Sequence, residues 1–166
     1  MKRLCFFLIV TCHFAGAAGA QENKERWLLG TGIMYCSHIN SPGVNLNVTY
    51  RLIGDFHIGP DFSALLTRER NENGTIVKQK ELEYNLNAQN LFDVNEHLSI
   101  YPLAGIKWSK LTTHREGEKA NVTWVTALNS GGGLELRMKI VRLFFETKWV
   151  SRLNKLDVTT GVVLQL

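Results

Sequence analysis

Four side chains carry the chemical types of a hydrolase or acyltransferase site: Ser41 as nucleophile, His38 or His114 as base, and Asp157 as orienting acid. Such chemistry needs nucleophile, base and acid within hydrogen-bond reach of one another. Nothing in the spacing of these four demands that arrangement, and each is explained as a polar loop or strand-end residue toward one rim. No catalytic residue is assigned, and the chain is read as a non-enzyme. Metal chemistry fares no better. Outside the first twenty residues the histidines, His38, His57, His97 and His114, are scattered. His57 and Asp61 share one face of one strand, but two donors do not make a metal centre, and a satisfied polar pair is the preferred reading. No metal-ligating or cofactor-binding residue is assigned, and no cofactor is implied. The sequons at Asn47, Asn73 and Asn121 would matter in a eukaryotic secretory protein; here they are read as ordinary polar positions.

The elements that must position these residues begin after a leader. Lys2 and Arg3 form a basic start, Leu4 to Val10 an apolar stretch, and Ala18-Gly19-Ala20 a cleavage site before Gln21. This pattern is a secretory signal peptide over 1–20, too short and wrongly flanked to be an anchor. Lipidation of Cys12 is set aside, because Thr11 before it is a poor fit and small residues continue past it. The expected mature chain has 146 residues, with 17 basic against 15 acidic side chains, a net charge of +2. That is one domain, with no basic stripe suited to nucleic acid. Of the three cysteines only Cys36 lies beyond the leader, which excludes an intramolecular disulfide and a multi-cysteine metal site. Its thiol is read as a small side chain packed away from solvent. No apolar run reaches 18 residues, so no conventional transmembrane helix is present, although strands can cross a membrane without one.

After a short lead (21–26), residues 27–166 alternate apolar and polar side chains. In the last tract Leu156, Val158, Thr160, Val162, Leu164 and Leu166 share one face, with Asp157, Thr159, Gly161, Val163 and Gln165 on the other. A period of two is that of a strand with one apolar face. Eight such tracts are expected: 27–37, 44–53, 56–67, 82–92, 98–109, 122–137, 140–151 and 156–166. Several reach the roughly 9–11 tilted residues that span a hydrocarbon core. Gly54-Asp55, Asp93 to His97 and Met138-Lys139 are tight links. Longer polar links (38–43, 68–81 and 110–121) alternate with them, while the last, 152–155, is short. Alternating short and long links are those of an up-and-down transmembrane barrel.

The apolar face places Trp27, Phe56 and Phe92 at one set of strand ends and Tyr35, Tyr84, Trp108, Trp124 and Trp149 at the other. Amphipathic rings favour the two membrane–water boundaries. The opposite face carries Asn45, Asn47, Thr49, Arg51, Glu83, Asn85, Asn87, Gln89, Lys107, Asn129, Glu135, Arg137, Arg142, Glu146 and Lys148. Charges of both signs can pair there, and eight strands leave room only for side chains. The expectation is a packed polar lumen. Gly30, Gly32 and Gly131-Gly132-Gly133 suit tight bending or close backbone approach.

The stretches Tyr101-Pro102-Leu103-Ala104-Gly105, Asn129 to Glu135, and Phe144-Phe145-Glu146-Thr147-Lys148-Trp149-Val150 resemble the small outer-membrane β-barrel proteins, the OmpA/OmpX-like group. The second and third look like that family's glycine-rich strand and the aromatic strand that follows it. The Gln21-Glu22 start after the cleavage site looks like exported proteins of Bacteroidetes-type bacteria. The resemblance implies an all-β, eight-stranded antiparallel up-and-down barrel in a Gram-negative outer membrane, with no family-wide catalytic residues. It implies as partners the lipid bilayer, lipopolysaccharide and the assembly machinery that reads the last strand, here ending in Leu166 instead of the usual aromatic. Arg68 to Gly74 is a charged hairpin tip or loop that lipopolysaccharide or a host surface could meet.

Three readings remain at this point. The first is a non-enzymatic outer-membrane barrel with an envelope-structural or surface-interaction role. The second is a soluble secreted barrel of lipocalin or avidin type, whose apolar face would point inward around a ligand. The third is a small porin-like channel, which needs a lumen less filled than this one. The polarity of the interior separates the first two.

Overall fold

The computed structural model describes residues 26–72, 74–138 and 141–165. The expected leader, the lead segment up to residue 25 and the terminal Leu166 lie outside them. Ten strands run in order: β1 (Trp27–Cys36), β2 (Ser41–Ile53), β3 (Phe56–Leu65), β4 (Arg68–Glu72), β5 (Thr75–Asn90), β6 (Phe92–Asp93), β7 (Leu98–Arg115), β8 (Asn121–Arg137), β9 (Arg142–Val150) and β10 (Lys155–Gln165). All pairings are antiparallel. β1 meets both β2 and β10, and β5 meets β7, so the sheet closes on itself. With the short β4 and β6 set aside, eight strands form the wall, as the alternation predicts. No helix occurs among the described residues.

The closing seam runs through nine residue pairs, from Leu28 opposite Gln165 to Cys36 opposite Asp157. At its centre Gly32 faces Gly161. A Cβ on Gly32 would lie 3.1 Å from the Gly161 Cα, so the two backbones approach as only glycines allow. Turns are tight where the chain reverses. Asn40 and Asn154 take left-handed φ values of 47°, and Gly54 one of 56°, conformations that asparagine and glycine tolerate best.

The wall is uneven in height. β5, β7 and β8 have 16, 18 and 17 residues, against 10 for β1 and 9 for β9. This corrects the expected loops at 68–81 and 110–121. Most of each is strand: β4 folds back on β5 from Arg68–Gln79 to Glu72–Thr75, and β7 continues to Arg115 beside it. Lys155, expected in a loop, is the first residue of β10. Beyond the apolar band neither face of a strand is apolar, so the period of two fades while backbone pairing continues. The result is a four-stranded sheet, β4-β5-β7-β8, standing above one side of the barrel mouth.

Tyr101 lies opposite Gly133, and a Cβ added there would come 2.5 Å from the tyrosine Oη. Gly133→Val should therefore displace the ring and destabilise the barrel by about 2 kcal/mol, the usual cost of overpacking. Urea unfolding of the reconstituted protein measures it, and an unchanged midpoint would refute the close packing.

Candidate functional site

The inward face is ionic, and its charges meet across the lumen. Toward the outer mouth, Lys155 of β10 reaches Glu81 of β5, with Nζ 2.7 Å from Oε1, and also contacts Glu83 Oε1. Lys107 of β7 bonds Glu83 Oε2 at 2.7 Å and contacts Asp157 Oδ2 on β10. All five side chains are essentially sealed from solvent. Near mid-height Asp61 of β3 accepts from Lys148 of β9 at 2.5 Å, Asn45 at 2.7 Å, and Asn85 and Asn87 at 3.3 Å each. Lys148 also holds Glu146 at 2.9 Å, whose other oxygen accepts from the Tyr101 hydroxyl at 3.2 Å. Asn129 donates to Asn85 and Asn87 at 3.1 Å. Nearer the opposite end Arg142 pairs with Glu135 at 2.7 Å, and Arg137 with Asp93 at 2.5 Å.

The polar lumen of the sequence reading is thus present, with one correction. It is not polar throughout, because apolar clusters close both ends. Met34, Cys36, Ile39 and Leu65, with Leu111 against them, fill the outer end. Leu28, Phe144 and Val163, and separately Leu91, Tyr101 and Leu103, fill the other. There aliphatic chains fill space without needing hydrogen-bond partners. Between the layers a cavity of about 30 Å³ lies among Asn47, Asp61, Asn87, Tyr101 and Glu146. It has room for a water or two and not for a solute.

The candidate nucleophilic set does not assemble. Ser41 is buried, its hydroxyl donating to the Leu66 carbonyl at 2.7 Å, and Asp157 is committed to Lys107. His38 stands exposed in the β1–β2 turn, and His114 is exposed on β7 opposite Lys78. No hydrogen bond joins any two of the four among the described residues. His57 and Asp61 both point inward as expected, but they do not pair with each other; His57 Nδ1 lies 3.0 Å from the Asp55 carbonyl oxygen. Cys36 is fully buried, as expected. Its Sγ lies within 4.8 Å of oxygens of Glu83 and Asp157, a donor set with metal-like spacing. Two ammonium groups already occupy it: Lys155 Nζ is 3.6 Å from the sulfur, and Lys107 bridges the carboxylates. A metal ion would have to displace both, so the residues do not fit one.

Sequence reading missed Glu81 and Lys155, placing both in outer loops. The signal that would have found them is continued alternation: Glu81 is in phase with Glu83, and Lys155 with Asp157.

The outward face is apolar. Ile33 is 66 % exposed, Leu128 65 % and Trp124 59 %, while Lys107 and Lys155 are at 0 %. Trp27 and Phe92 stand outward at one rim, and Tyr35, Tyr84, Trp108, Trp124 and Trp149 at the other. Phe62, Tyr84 and Trp124 form a continuous aromatic run, the first pair tilted and the second stacked, with ring centres 5.2 and 6.3 Å apart. Charge inside and hydrocarbon outside is the polarity of a barrel built for lipid, and the reverse of a lipocalin-type barrel.

An eight-stranded barrel with this polarity defines the small transmembrane barrels of outer membranes. Solved structures that share the fold include the following three. Neisserial surface protein A superposes with a TM-score of 0.68 at 13 % identity, covering 87 % of this chain and 100 % of its own. The N-terminal barrel domain of Pseudomonas aeruginosa OprF gives 0.63 at 13 % identity, with the same coverage. Ail, the attachment invasion locus protein of Yersinia pestis, gives 0.60 at 18 % identity, over 87 % of this chain and 98 % of its own. No family model and no curated protein sequence matches the chain.

Lys155→Met leaves Glu81 and part of Glu83 buried without a cation. It should cost about 3–5 kcal/mol in urea unfolding from vesicles, and a loss below about 1 kcal/mol would show the network to be solvated. Leu128→Arg probes the other face. It should cost about 2–4 kcal/mol in a bilayer, whereas on a water-facing wall it would stay within about 0.5 kcal/mol.

Proposed function

We propose that this protein is an integral outer-membrane β-barrel of a Gram-negative envelope, non-enzymatic and non-conducting, acting through what it presents at the surface. The inverted polarity carries the reading: ion pairs sealed inside and a belt of apolar side chains outside have no rationale in water. The lumen argues against a pore, because two apolar clusters and a cross-braced ionic layer occupy it. In this reading residues 1–20 direct export, the assembly machinery takes up the last strand, and the Gln21-Glu22 start suits a Bacteroidetes-type cell. Lipopolysaccharide surrounds the outer half.

The projecting β4-β5-β7-β8 sheet supports a surface-interaction role over a purely structural one. Among the described residues neither of its two borders has a strand partner. β4 pairs only with β5, and β8 is joined to β9 only from Asn129 inward. An unpaired strand edge is a template for another chain. Its tip carries Arg70, Glu72 and Arg115, joined by ion pairs of 3.7–3.9 Å.

Expression in a Gram-negative host should yield outer-membrane recovery and a gel band whose mobility changes on boiling. An epitope inserted at Gly117, whose φ of 82° marks an open turn, should be reached by antibody on intact cells. Planar bilayers should show no conductance steps. Soluble periplasmic recovery would overturn the membrane reading, and steady conductance would overturn the closed lumen.

A further inference from the structure

We propose that the lumen cavity between Asp61 and Glu135 binds one monovalent cation of the size of sodium. The inference goes beyond the surface role above and does not depend on it. Charge is the first observation. Three carboxylates, Asp61, Glu135 and Glu146, line the cavity, and no Lys, Arg or His does. Two cations reach these carboxylates without lining the cavity themselves. Lys148 contacts Asp61 and lies 2.9 Å from Glu146, and Arg142 lies 2.7 Å from Glu135. Arg137 stands 4.0 Å from Glu135, while its terminal nitrogens hold Asp93. Three negative charges against two positive ones leave one in surplus. An unbalanced charge sealed from water is costly, so a further cation is favoured at this place.

Uncommitted oxygens are the second observation. Glu135 is only 3 % exposed, and its contacts with Arg142 and Arg137 both fall on Oε1. Its Oε2 accepts no hydrogen bond among the described residues. Thr49 and Gln89 line the same space, and neither side chain makes a hydrogen bond among the described residues. The Tyr101 hydroxyl donates its proton to Glu146 at 3.2 Å, which leaves its oxygen able to serve a cation. These four side chains come from β8, β2, β5 and β7. They converge because the sheet is closed.

Size and donor type select the ligand. About 30 Å³ holds a bare ion with a water, and not a fully hydrated ion. Carboxylate, amide and hydroxyl oxygens suit hard cations, and the lining offers no thiolate or imidazole for zinc or copper. A divalent ion would reverse the imbalance, leaving one positive charge in surplus. Ca²⁺ also takes about six to eight oxygens, and Mg²⁺ keeps several of its waters. Sodium balances the count and is close to water in size. Leu28, Phe144 and Val163 close the cavity on its apolar side, so an ion seated there is shielded from exchange.

The test folds the full barrel into phosphatidylcholine vesicles in sodium, potassium or choline chloride at equal ionic strength, with a chelator present, and follows urea unfolding. Sodium should raise the midpoint above choline, and potassium should raise it less. Once the site saturates, each tenfold rise in sodium should multiply the folded-to-unfolded ratio about tenfold. Glu135→Gln restores the charge balance without an ion, so its midpoint should be the same in all three salts. Glu146→Gln removes the same unit of charge from the neighbouring strand and should behave likewise; it serves if Glu135→Gln does not fold. Glu81→Gln, in the outer ionic layer, should keep the sodium response. A boiling-dependent mobility shift shows which variants fold. Equal midpoints for the wild type in the three salts would overturn the site. So would a sodium response that survives in Glu135→Gln or Glu146→Gln, or a midpoint that follows pH and ignores sodium, which would put a proton in the ion's place.

Discussion

Closure is the constraint on which the rest of this structure depends. In hydrocarbon no water satisfies an open strand edge, so a sheet in lipid must pair its first strand with its last. Here β1 meets β10 along nine residue pairs. Eight strands closed in this way enclose a space only as wide as the side chains that fill it. Every inward residue therefore confronts residues on the far wall, and the sequence must be read across the diameter as well as along the strand. The glycines at Gly32, Gly161 and Gly133 sit where neighbouring atoms leave no room for a side chain.

The ionic layer follows from the same geometry. Going round the wall, β10 lies four strands from β5, and β9 four strands from β3, so each pair is diametrically opposed. Lys155 joins the first pair and Lys148 the second. Desolvation offsets much of the attraction in buried ion pairs, so these contacts contribute more to shape than to net stability. They act as struts, fixing which strands oppose each other and holding the section round. Apolar clusters above and below keep water from dissolving them.

Much of this was legible in the sequence. Alternation divides each strand into two faces, and residues named from it on the polar face, such as Asn45, Glu83, Lys107, Asn129 and Lys148, stand in the lumen. Trp and Tyr positions likewise mark the rims, because amphipathic rings must find a boundary. What local pattern could not supply is partnership. Lys155 and Glu81 are 74 positions apart, and only closure brings them together. The stretch Lys78-Gln79-Lys80-Glu81 looks like a loop because both its faces are polar, one turned to the lumen and the other outward. A strand above the apolar band loses the contrast by which strands are recognised. The apolar end clusters were missed for a related reason: Leu65 and Val163 are in phase with polar residues of their strands, and a single aliphatic residue on a polar face carries no periodic signal.

The burial of Cys36 also gives the barrel a chemical clock. Its sulfur sits at the seam, opposite Asp157 on β10 and Ser41 on β2, with no exposed surface. Once β10 meets β1 the thiol is sealed. An alkylating reagent would mark chains still open and spare those already closed, so the moment of ring closure is recorded on a side chain belonging to the first strand.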